Sequence, residues 1–154
     1  MPTILVLAAA LSLVSGHDVA GEMPFAIPAL RVSGMLRPAP GHRLFLVTLS
    51  VGEEPIDVED VARFGLITTA GRRKPIGAGG SEASIAPFDR IAVGREVGQI
   101  LPSDAMIVLT RRSADRVALE ADPRSTVVFL YEVPLTASVR ALRLPDGREL
   151  AIHD

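Results

Sequence analysis

Apolar residues in this chain recur mainly with a period of two, and the densest such run is Thr126–Pro134. Within it Val127, Phe129, Tyr131 and Val133 fall on one face of an extended segment. Thr126, Val128, Leu130 and Glu132 fall on the other. Both faces are apolar at their centre, which predicts a strand covered on both sides. Consecutive β-branched and aromatic residues fit a pleated surface better than a helix. A second strand is predicted over residues 42–51, with Phe45, Val47, Leu49 and Val51 facing the core. The last unit reads as a hairpin, residues 139–144 and 148–152 around Pro145-Asp146-Gly147. The 126–134 strand is expected to pair with this hairpin and to pack across a core supplied by Phe45, Val47 and Leu49.

Between these strong signals the pattern is weaker. Residues 17–23 are polar and read as irregular. Residues 25–36 alternate loosely around Pro28, which suits an edge or first strand. Asp57 can cap a helical turn through 58–62, and Phe64, Leu66 and Thr68 alternate into a turn at Ala70-Gly71-Arg72. Residues 76–81 read as a flexible glycine loop and 111–116 as a polar turn. Strands are expected over 84–93 and 105–110, with a turn at 101–104 and a further short strand near Val117 and Leu119. Seven to nine short strands without a long amphipathic helix predict an all-β, antiparallel, immunoglobulin-like sandwich.

Residues 4–14 form an apolar run with Ser12 as its one polar member. It is shorter than the roughly 20 residues that cross a bilayer, and it has the length of an export-signal core. Small residues at Ser15 and Gly16 place an expected cut after Gly16, although Met1-Pro2-Thr3 supplies no basic side chain. The expected organisation is a signal over 1–16 and a single sandwich domain over 17–154, periplasmic or secreted, with no stable membrane anchor once the signal is cut. The alternative is a buried N-terminal strand or helix.

Composition narrows the chemistry. The chain has no cysteine, which removes disulfides, thiolate metal sites, cysteine nucleophiles and a lipidated N-terminal anchor. Its formal net charge of −2 gives no electrostatic reason to expect nucleic acid. Lys74 is the one lysine among sixteen basic residues, which reads as the imprint of a GC-rich bacterial genome. The strand over 43–51, Phe64-Gly65-Leu66 leading into a glycine turn, the Glu132-Val133-Pro134 strand ending and the 142–150 hairpin together resemble bacterial exported immunoglobulin-like sandwich domains of unknown function. That resemblance implies fold and export, and implies no activity.

His17 is the sharpest candidate for chemistry. A cut after Gly16 makes it the N-terminus, where its α-amino group and imidazole suit Cu(II), which favours tetragonal nitrogen ligands. Copper proteins on similar sandwiches use such a terminal histidine with a second one, here His42 or His153, and Asp18 or Asp154 offers an oxygen. Glu53, Glu54, Asp57, Glu59 and Asp60 are hard oxygen donors, but their spacing does not match an EF-hand loop. Gly77-Ala78-Gly79-Gly80 lacks the Lys-Ser/Thr of a phosphate loop, and no Gly-x-Ser-x-Gly elbow is present. The expected function is a non-enzymatic binding or envelope-accessory module with no cofactor, and copper binding is the alternative. A protein partner in the envelope, taken by strand addition at an exposed edge near Pro28, is a further expectation.

Overall fold

The computed structural model describes residues 11–27, 32–50, 56–82, 85–87, 110–113, 116–119 and 126–153. Its strands are β1 (Ser12–Val19), β2 (Met23–Ile27), β3 (Val32–Leu36), β4 (His42–Ser50), β5 (Ile56–Asp57), β6 (Gly65–Thr68) and β7 (Gly71–Arg73). They continue with β8 (Gly77–Gly79), β9 (Ala86–Pro87), β10 (Thr110–Ser113), β11 (Arg116–Leu119), β12 (Thr126–Pro134), β13 (Val139–Arg143) and β14 (Glu149–Ala151). A 3-10 turn, Val58–Arg63, follows β5, and no α-helix is present among the described residues.

The organising pair is β4 and β12, antiparallel and in register from Thr126 opposite Ser50 to Pro134 opposite His42. Proline closes the pairing because it has no N–H for the ladder. The larger sheet runs β1-β4-β12-β8-β9, and a second runs β14-β13-β6-β7. Their facing side chains make the main core: Phe45, Val47, Leu49, Phe129 and Tyr131 against Phe64, Leu66, Val139, Leu142 and Ile152. Two antiparallel sheets sharing one apolar layer are a β-sandwich. Phe64 stacks on Phe129 with ring centroids 4.8 Å apart. The Tyr131 hydroxyl, fully buried, donates to the Phe64 carbonyl at 2.8 Å, which satisfies it inside the core.

The larger sheet is covered on its other face as well. Leu44, Leu46, Val128 and Leu130 pack with Met23 and Leu36 of the β2–β3 ribbon and with Ile85. The double-faced character of β12 is therefore as its pattern predicts, and β4 shares it. Each buried leucine or phenylalanine contributes roughly 1.5–3 kcal/mol.

Several expectations change. The 139–152 hairpin forms as β13 and β14, with Gly147 at φ 91° in its turn, but it does not pair with β12. It pairs with β6 in the opposite sheet and faces β12 across the core, while Phe45, Val47 and Leu49 are the neighbours of β12 in its own sheet. Residues 77–79 are a buried strand bonded to β12 and β9, not a flexible loop. Residues 17–19 belong to β1 and Met23 opens β2, so 17–23 is not irregular throughout. Arg111 and Arg112 sit in β10, at the edge of the β10-β11-β5 sheet, where charged residues are well tolerated. The described strands also outnumber the expected seven to nine, because several have only two to four residues. Pro28, the turn at 101–104 and most of the strands expected over 84–93 and 105–110 lie outside the described residues.

Candidate binding surface at the first strand

β1 stands at the end of its sheet and is bonded only to β4 among the described strands. Its inner features explain its place there. Leu11 is buried and Leu13 packs on the main core. Gly16 lies where an added Cβ would meet Ile152 and Phe45 at 3.1 and 3.2 Å, so the absence of a side chain lets the strand close on the core. The Arg148 guanidinium donates to the Leu11 carbonyl at 3.0 Å.

Arg43 fixes the other end. It donates to Asp18 Oδ1 at 2.8 Å, to the Pro134 carbonyl at 2.8 Å and to the Ala137 carbonyl at 2.9 Å. One planar guanidinium thereby joins β1, β4 and the connection from β12 to β13. His17 points the opposite way from Asp18, with Nε2 3.2 Å from Glu82 Oε1. Both partners are about half exposed, at 48% and 56%, so this pair contributes little to stability.

Two open grooves meet at His17 and Asp18. One, of about 610 Å³, is lined by Val19, Met23, Phe25, Leu46 and Glu82 besides those two. The other, of about 580 Å³, lies over Arg43, Phe45, Leu135, Ala137 and Val139. Leu135 is 61% exposed, one of two large apolar side chains so exposed among the described residues. The strand thus has a mainly apolar groove on one side and, on the other, a mixed one that also contains Thr136 and Ser138.

The expected site residues are not gathered. His17 pairs with Leu46 in the middle of β1, so its backbone nitrogen is an amide within a strand in the uncut chain. His42 lies four positions before Leu46 in β4, on the order of 13 Å along the strand, and its Nδ1 is 3.0 Å from the Pro40 carbonyl. His153 is exposed just after β14. Among the described residues no three of His, Asp or Glu are grouped closely enough to hold a metal ion. Glu53 and Glu54 lie outside the described residues, and Asp60 pairs with Arg63 at 3.4 Å. The glycines of the 77–80 stretch are in or beside a buried ladder, not cradling an anion.

The expected cut after Gly16 falls inside β1, between the pairs Gly16–Val47 and His17–Leu46. An apolar run ending in small residues suits a leader and an edge strand equally, which is why pattern alone did not separate them. Sequence reasoning missed the β1 surface for the same reason. The signal that could have found it is the run's continuation through Gly16 to Val19 at strand length. No protein-family model, curated protein or solved structure matches this chain.

Proposed function

We propose that this protein is a non-enzymatic, exported β-sandwich module that binds a protein partner through the surface around β1. The observation that carries the reading is the meeting of two open grooves, one mainly apolar and one mixed, at His17 and Asp18 on a strand at the end of its described sheet. Binding residues on a rigid scaffold concentrate at such edges and loops. The described charged groups there are engaged in holding the fold, as with Arg43, or in an exposed pair, as with His17 and Glu82. The export half of the reading rests on the length of the 4–14 apolar run, which fits a leader as well as the edge strand its end forms.

A photo-crosslinking side chain placed at Leu135 in the producing cell tests this reading. It is expected to trap a discrete protein adduct, and the same group at Glu149, on β14 in the other sheet, is not. Robust hydrolytic or redox turnover by the purified protein, or identical crosslinking from both positions, overturns it. N-terminal sequencing of the exported protein tests the export half, and recovery from the cytoplasm with residues 1–10 intact counts against it.

A further inference from the structure

Resting on that reading, we infer that the outer edge of β1 takes an extended, lysine- or arginine-bearing peptide as an added strand. Alternate backbone groups of an edge strand point away from its neighbour and lack partners in the ladder. In β1 the pairing with β4 shifts register between Leu13 and Ser15 and then runs unbroken to Val19, so the regular edge, unpaired among the described strands, is the second half of the strand. A peptide lying there extends the β1-β4-β12-β8-β9 sheet by one strand.

The two grooves match the alternation of such a peptide. Residues at i and i+2, about 6.8 Å apart, fall on one side of the sheet, and the residue between them falls on the other. One set enters the groove floored by Met23 and Phe25, and the other lies against Leu135 and Ala137. Charge selects among peptides. The first groove is lined by Glu82 and His17 and by neither lysine nor arginine, while the Asp18 carboxylate is taken by Arg43. A cationic residue in that set meets Glu82, whose side chain is 56% exposed with His17 beside it.

The probe is a short fluorescent peptide alternating lysine with valine, titrated against the full chain and followed by anisotropy. Two isomers of it, N-methylated at alternate positions, remove one or the other row of backbone donors. Saturable binding is expected for the parent and for one isomer, and loss of binding for the other. Glu82→Lys and Leu135→Asp, both at exposed positions, are expected to weaken binding by about tenfold or more without changing the circular dichroism spectrum. Equal binding of both isomers, binding unaffected by Glu82→Lys, or a concentration-dependent dimer that excludes the peptide overturns strand addition. If the peptide fails while crosslinking from position 135 persists, strand addition falls and the binding-module reading stands. If both fail, the reading falls too.

Discussion

Arg43 shows how much of this fold can depend on one side chain. It reaches Asp18 on β1, the carbonyl of Pro134 at the end of β12 and that of Ala137 beyond it, and its side chain is only 21% exposed. Removing the guanidinium takes a donor from the Ala137 carbonyl and leaves the Pro134 carbonyl with the Ala137 N–H at 3.0 Å. A lysine at this position is a point charge that cannot reproduce the planar fork. Arg43→Lys is therefore expected to lower the unfolding free energy by about 1.5–3 kcal/mol, measured by urea denaturation. Asp18→Asn removes only the carboxylate charge of a 59% exposed partner, and its expected cost is about 0–1 kcal/mol. If the two substitutions cost the same, the backbone contacts of Arg43 contribute nothing. Gly65 is a related case: an added Cβ would run into the Arg72 side chain, which lies over it and donates to the Arg63 carbonyl at 3.0 Å.

Among the elements, β1 carries the question that pattern left open. Leu13 in its first half and Leu11 just before it lie against the core, and its second half holds the candidate surface. A chain beginning at His17 loses the first half together with Leu11, and is expected to be about 2–5 kcal/mol less stable than one beginning at Leu11. Comparing their denaturation midpoints decides it, since equal stability means that residues 11–16 are dispensable and favours their loss as a leader. The same His17-start chain, with its free amino group, is the form in which to titrate Cu(II). The elements legible in the sequence were those with strong alternation: β4, β12 and the β13–β14 hairpin, with both faces of β12 correctly apolar. Their partners were not legible, because alternation says which residues face a core and not which strand lies beside them. β8 was hidden for a different reason. Its sequence Gly-Ala-Gly has no side-chain preference for a strand, and it is held there by the β12 ladder and by burial. The β1 surface depends on Glu82, Arg43 and Leu135, which are far apart in sequence and joined only by that pairing.

For the whole molecule, the same core that gives stability also sets its pH limit. Tyr131 is the one tyrosine, and there is no tryptophan. Burial pushes its phenol well above the usual value of 10.0, opposed more weakly by the Arg72 charge. In the unfolded chain the phenol ionises near pH 10. In the folded chain it stays protonated beyond that and keeps its hydrogen bond to Phe64. Below about pH 10 both states hold the proton and the stabilisation is fully present. Above that point the unfolded state loses its proton first, so this group lowers stability by about 1.4 kcal/mol per pH unit until the folded pKa is reached. Phenolate absorbance should accordingly appear with unfolding, in step with the loss of β-sheet circular dichroism, and not as a separate titration of the native protein. Tyr131→Phe supplies the control. It removes the hydroxyl donor from the buried Phe64 carbonyl and is expected to be about 1–3 kcal/mol less stable near neutrality. Its stability should nevertheless fall less steeply above pH 10, because the residue that titrates on unfolding is gone. Phenolate absorbance rising near pH 10 with the sheet signal intact would show that the hydroxyl is open to solvent and not enclosed between the two sheets.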